Sequence, residues 1–216
     1  MPTPRPMGRP KIPLLSQEGI IQGALIVLAE TGAEDFTMGR LATHLGVQTP
    51  ALYKHVKNRR DLVNLIRMEI AANIDSSAFE TLPWREAMLP WARSYRLSFA
   101  RNPHAITLLA TIPMDGNPSS LRMYEPVVLG MQRGGWPIEE IVPAIVAVES
   151  FIVGSSLDVL ADPDNLSPKG DTETAPTFGA AVAARDAEDA RLGRGHAEHA
   201  FEVGLAALVR GLDPGN

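Results

Sequence analysis

Apolar residues recur at helical spacing along nearly the whole chain, and no stretch shows the alternation of a half-buried strand. Ser16 can cap a first helix whose Ile21, Ala24, Leu25 and Leu28 share one face and which ends at Gly32. Phe36, Leu41, Leu45, Val47 and Leu52 supply partners for that face, so a three-helix unit should close around residues 16–56. Asn58 can cap a fourth helix carrying Leu62, Leu65, Ile66 and Ile70, which would connect this head to the rest. From Pro83 onward the pattern predicts helices over 84–101, 104–110, 119–133, 138–161, about 178–191 and 195–211. Residues 162–177, DPDNLSPKGDTETAPT, read as a polar loop. The expectation is an all-α chain, with a head and connecting helix over 16–70 and a helical body over 71–216.

The stretch 37–60, TMGRLATHLGVQTPALYKHVKNRR, has the form of a helix-turn-helix. One short helix should run from Thr37 to His44, followed by a turn centred on Gly46, where a positive φ costs glycine nothing. Thr49 is a good N-cap for a second helix, and Pro50 suits its first position, where no N–H is needed. That helix would carry Tyr53, Lys54 and His55. A helix built this way can present its N-terminal residues to base edges in a DNA major groove.

Two late segments are apolar on more than one face. The first is IEEIVPAIVAVESFIVGSSLDVLA; the second, HAEHAFEVGLAALVRGL, has a stripe of Phe201, Leu205, Leu208 and Leu212. Helices that are apolar nearly all round must be buried. The monomer core or a second subunit could bury them, and in a body this small we expect a homodimer through 138–161 and 195–211.

Composition sharpens the picture. The chain has 216 residues and a formal net charge of -5. Residues 1–68 carry nine Lys and Arg against five acids, while the remainder carries eleven against twenty. A basic head on an acidic body suits a DNA-contacting unit, although scattered surface charge would give the same count. The arm MPTPRPMGRPKIPLL, residues 1–15, reads as disordered and basic, able to lie on phosphates or simply to remain solvated. It has no apolar core of a signal peptide, and no uninterrupted apolar run reaches the roughly 20 residues of a membrane span. With no cysteine, the chain fits a reducing cytoplasm and offers no thiolate metal site or nucleophile. Neither a G-x-S-x-G elbow nor a strand-borne phosphate loop occurs, so the chain is not read as an enzyme. His196 and His199 flank Glu198 as H-x-E-H, which is not the H-E-x-x-H zinc signature. A surface metal pair or a charged helix face remains.

Residues 16–70 resemble the DNA-binding domain of the TetR family of transcriptional regulators. The resemblance rests on Ala29-Glu30-Thr31-Gly32, Phe36-Thr37, Leu41-Ala42, Leu45-Gly46-Val47, Pro50-Ala51-Leu52-Tyr53 and His55-Val56-Lys57-Asn58-Arg59. The run LYKHVKN followed by Arg-Arg-Asp-Leu is closest to the tetracycline-repressor-like subgroup, and the body resembles that subgroup more weakly. The resemblance implies a homodimer that binds a palindromic operator in double-stranded DNA and is released by a small molecule. Half-sites would sit about one helical turn, roughly 34–36 Å, or a multiple apart. Thr49, Pro50, Ala51, Tyr53, Lys54 and His55 would face the groove. Thr37 and Arg59 would contact phosphates, with Lys57 and Arg40 as further basic candidates. Tyr53 could instead be a core aromatic, and Lys57 and Arg59 solvated charges. One departure is Gly39, which stands where that subgroup has a base-contacting Arg; Arg40 is rotated about 100° away on the helix.

By the resemblance, the position of the subgroup's magnesium-binding His is matched by Leu108 or a neighbouring residue, and a polar drug contact by Val127. The resemblance therefore implies neither tetracycline nor a metal or other cofactor. A hydrophobic, drug-like effector is expected, against a wall of Trp91, Tyr95, Phe99, Leu108, Thr111, Met114, Met123, Val127 and Ile145. The alternative is a DNA-binding protein without an effector or controlled by a protein partner.

Overall fold

The computed structural model describes residues 15–110, 113, 118–162, 165–168, 170 and 173–215. The basic arm over residues 1–14, Thr111 and Met114 lie outside the described residues, as does part of the 162–177 loop. Among the described residues every regular element is helical. The helices are α1 (Gln17–Asp35), α2 (Met38–His44), α3 (Thr49–Leu52), α4 (Arg59–Ala71), α5 (Ala78–Thr81), α6 (Trp84–Ala100), α7 (Ala105–Ala110), α8 (Pro118–Arg133), α9 (Ile138–Leu157), α10 (Pro176–Leu192) and α11 (His196–Gly211).

Local chemistry sets the helix ends in the head. Ser16 Oγ accepts from the Gly19 N–H at 3.0 Å and caps α1. Gly32, at φ 75°, kinks α1, and the chain resumes a helical turn to Asp35 rather than stopping there. Thr37 Oγ1 caps α2 by accepting from the Arg40 N–H at 3.2 Å. The end of α2 is a Schellman turn: Val47 N–H reaches the Ala42 carbonyl at 2.9 Å and Gly46 N–H the Thr43 carbonyl at 3.1 Å, with Gly46 at φ 66°. Asn58 Oδ1 accepts from the Asp61 N–H at 2.9 Å, while Asp61 reaches back to the Lys57 N–H at 2.8 Å.

Two corrections apply to α3. Its N-cap is Gln48, so Thr49 and Pro50 are the first two helical residues and Thr49 does not cap. The α-helix also closes at Leu52. Lys54 and His55 bond back only three residues, to Ala51 and Leu52, so Tyr53, Lys54 and His55 occupy a tightened turn beyond it.

The head core joins Ile20, Leu28, Leu41, Leu52, Leu62 and Ile66. It also takes in Ala105, Leu108 and Leu109 of α7, which packs against α1 and α4. Leu108, expected in an effector wall, is therefore part of the head core; helical spacing shows that a face is buried but not against what.

The body core is built on α6, which packs against α9 and α11 and supplies Trp84, Met88, Trp91 and Tyr95. Trp84 meets Trp136 edge-on at 5.3 Å, and Gly134 lets α8 turn there; a Cβ on it would stand 2.1 Å from Trp84 Cδ1. Arg93 makes a two-pronged bond to Glu202, and Arg96 bonds Glu198 while lying over the Phe201 ring, so α6 and α11 are also joined by charge. The expected 138–161 helix is α only to Leu157, then a single 3-10 turn over Asp158–Leu160. By length and composition α9 is apolar enough to cross a membrane, contrary to the expectation from uninterrupted runs. Its few acids, Glu139, Glu140 and Glu149, break the run without removing its mean hydropathy. One side of α9 is core, and the other leaves Ile138, Val142 and Val146 each more than half exposed.

Candidate functional site

The α1–α2–α3 unit holds an open concavity of about 700 Å³ lined by Thr37, Gly39, Arg40, Thr43, His44 and Thr49, with Val27, Glu30 and Thr31 on its α1 side. Thr37, Arg40 and Thr49 were expected here; Thr43 and His44 were not, though they follow Arg40 by three and four residues and so share its face. Thr37 Oγ1 accepts the Arg40 N–H, which leaves the hydroxyl proton free to donate outward. Gly39 is open, with only Thr37 Oγ1 near the position of a Cβ, at 3.9 Å.

Pro50, Tyr53, Lys54, His55, Lys57 and Arg59 are exposed, and Ala51 is half-buried on the same edge. Tyr53 is 49% exposed, so it is not a core aromatic. Leu52 and Val56 on either side anchor this turn in the head core. Arg59 does not stand wholly in solvent: its guanidinium lies 5.9 Å from the Phe36 ring centroid. The segment 37–59 thus offers exposed hydroxyls, one phenol and several cations. Hydroxyls and cations there suit phosphate oxygens; Lys54 and the short side chains of α3 suit base edges.

A second concavity lies where α4 meets the body. It encloses about 60 Å³ and is lined by Arg67, Ile70, Ala71 and Ile74 from the α4 side, Tyr95 and Phe99 of α6, Leu109, and Ser120, Met123 and Tyr124 of α8. Of the expected effector wall, Tyr95, Phe99 and Met123 meet here, and Trp91 adjoins them through an Nε1–H to Met123 Sδ contact at 3.4 Å. Leu108 belongs to the head, while Val127 and Ile145 are buried in the body core away from the lining.

The polar part of this junction was not anticipated. The Tyr124 hydroxyl donates to Glu149 Oε1 at 2.5 Å, and the Tyr95 hydroxyl lies beside the pair. Burial pushes the Glu149 carboxyl above its ordinary range, and the two tyrosines only partly offset that. Burial, then the neighbouring Glu149, pushes both tyrosine hydroxyls up as well. The one sequence signal was an acid in the middle of IVAVESFIV.

At the α10–α11 corner, Asp189 is buried at 1% exposure. It accepts from Arg194 Nε at 2.7 Å and faces His196 Nδ1 at 2.7 Å and His199 Nδ1 at 3.1 Å. The H-x-E-H pair is thus turned onto one carboxylate, and Glu198 between them is bonded to Arg96. Among the described residues no group of three or more His, Cys, Asp or Glu is arranged to hold a metal.

Two family models match the chain. That for bacterial regulatory proteins of the tetR family covers residues 20–66, and that for the tetracyclin repressor-like C-terminal domain covers residues 80–214. The tetracycline repressor protein class A from transposon 1721 of Escherichia coli is 30% identical over 206 residues, which span 92% of this chain and 90% of that protein. A solved structure described as a possible TetR family transcriptional regulator from Streptomyces coelicolor A3(2) has a TM-score of 0.73 at 24% identity, over 91% of this chain and 98% of that one. ActR of Streptomyces coelicolor, solved in complex with (S)-DNPA, has a TM-score of 0.71 at 22% identity, over 94% and 99%.

Proposed function

The chain belongs to the TetR family of DNA-binding transcriptional regulators, and from that premise we propose that it is a homodimeric repressor of a palindromic operator, released by a hydrophobic or drug-like effector. The observation that carries this reading is the exposed side of the head. Thr37, Arg40, Thr49, Pro50, Tyr53, Lys54, His55, Lys57 and Arg59 lie on the segment that the fold would present to DNA, around a turn anchored by Leu52 and Val56. Thr37, Tyr53 and Arg59 position the head on phosphates; Pro50, Ala51 and Lys54 read bases.

Dimerisation is assigned to α9 and α11. Ile138, Val142 and Val146 repeat every four residues on the outer side of α9, and Val203 is 58% exposed on neighbouring α11. Covering such a stripe with its own copy gives two heads a fixed spacing.

The effector is not magnesium-bound tetracycline. By the resemblance, Leu108 or a neighbour stands where the tetracycline-repressor subgroup has its metal-binding His, and the Leu108 side chain is 2% exposed within the head core. One observation favours the second reading, a regulator without an effector: the junction encloses about 60 Å³, against the roughly 300–1,000 Å³ of a drug-sized pocket. An effector of that size must therefore part α4 or α7 from α8, which is also what would move the heads.

Fluorescence anisotropy with DNA flanking the protein's own gene, at two salt concentrations and with excess competitor DNA, tests the reading. Two protomers per duplex, resistant to competitor, are expected. Binding abolished by competitor on selected as well as native sequences would overturn it.

A further inference from the structure

Glu149 stands one hydrogen bond behind the wall that Tyr95 and Tyr124 form at the α4–body junction. It comes from α9, Tyr95 from α6 and Tyr124 from α8, so the cluster ties three helices. Among the described residues no Lys, Arg or His is paired with its carboxyl; its hydrogen-bond partner is the Tyr124 hydroxyl, with the Tyr95 phenol beside it. A half-buried carboxyl without a countercharge still loses part of its hydration, and the Tyr124 hydroxyl replaces only some of it.

The surroundings are aromatic. Phe99 stacks on Tyr95 with ring centroids 5.1 Å apart, and Trp91 meets Tyr95 edge-on at 5.5 Å. Aromatic faces beside a carboxylate are the chemistry that holds a protonated amine. Arg67 faces the same cavity from α4, with Nη2 donating to the Leu109 carbonyl, and its charge also reaches the Tyr124 hydroxyl, so a cationic group belongs on the Glu149 side of the phenols. We propose that Tyr95, Tyr124 and Glu149 form the effector-reading site, and that the effector is a hydrophobic aromatic molecule whose basic amine is bound as an ammonium by Glu149. This rests on the reading that the body takes a small molecule. An ammonium supplies the countercharge that the phenol donor only partly replaces and so favours the ionised carboxyl, which desolvation otherwise disfavours.

Three dansyl probes with equal tails, ending in an amine, a hydroxyl or a carboxylate, test this by fluorescence titration of the full chain. The amine probe should bind the wild type at least tenfold more tightly than the hydroxyl probe. Glu149→Gln should remove that preference, so that the amine and hydroxyl probes bind alike, with the melting temperature reported alongside. Tyr124→Phe keeps the carboxylate and removes a competing donor, so it should bind the amine at least as tightly as wild type. Equal binding of amine and hydroxyl probes, or a preference for the carboxylate probe, would overturn the amine assignment while leaving a ligand-responsive body. If none of the probes binds a protein that still holds its operator, the ligand-responsive reading falls and the assignment with it.

Discussion

Arg67 Nη2 donates to the carbonyl of Leu109 at 2.8 Å, tying the helix that leaves the head to the end of α7. Arg67 also lines the junction cavity, so one side chain touches both the space open to a ligand and the element that carries the head. Arg67→Ala should lower stability by about 1.5–3 kcal/mol, the range for a charge-assisted bond. It should also reduce the effect of any bound ligand on operator affinity. Thermal melting and operator titration with and without ligand check both; full coupling in the variant would show that Arg67 carries none of it.

Lys54 and Arg59 are both exposed, but they should fail differently. Lys54→Ala should relax preference at one operator position at a cost of about 1–3 kcal/mol. Arg59→Ala should weaken all sequences alike and reduce the salt slope by about one. Titrations on an operator series at several salt concentrations separate the two, and uniform loss for Lys54→Ala would move it to the backbone.

Gly39 has room for a side chain, so Gly39→Arg should fold and raise the stability of α2 by up to about 1 kcal/mol. Selection from random DNA should then return a changed consensus. An unchanged consensus would mean this position does not reach the bases.

How far the sequence could be read depended on the range of the interaction. Ser16, Gly46 and Asn58 act on backbone groups a few residues away, and each does so where its residue type predicts. The end of α3 was less legible, because three-residue rather than four-residue bonds decide it. Leu108 shows the harder limit: periodicity marks it as buried, while only the path of the chain brings α7 to α1 and α4. The partners of Glu149 and Asp189 come from separate helices or across a turn, so neither cluster has a contiguous signature.

Bonds from His196, then Arg194, depress the Asp189 carboxyl from 3.8 to about 2. The folded protein therefore holds this proton less tightly than the unfolded chain, and the contribution is complete above about pH 4. It is lost as pH falls through about 2. Asp189→Asn should be less stable at neutral pH and lose less stability than wild type between pH 4 and 2. Melting curves across that window decide it, and parallel pH profiles would contradict the assignment.

Val142 and Val146 are 61% and 51% exposed on α9. If a second copy covers them, Val142→Asp with Val146→Asp buries two unpaired acids and should cost the dimer about 3–5 kcal/mol or more. Light scattering should report a monomer with unchanged helical content. A persistent dimer would put the interface elsewhere.

Because Ala105, Leu108 and Leu109, with Phe99 packed beside them, complete a core whose other buried residues all precede residue 71, the head is not a detachable cassette. Cutting after α4 would leave an apolar hollow against α1, and the fragment should be loosely folded and prone to aggregate. Exchanging heads between relatives carries the same constraint. A graft that moves α1 to α4 alone would break a packed surface, whereas one that also brings the matching α7 keeps the core whole. Any change in operator recognition acquired by swapping would then have to travel as two distant segments of the gene.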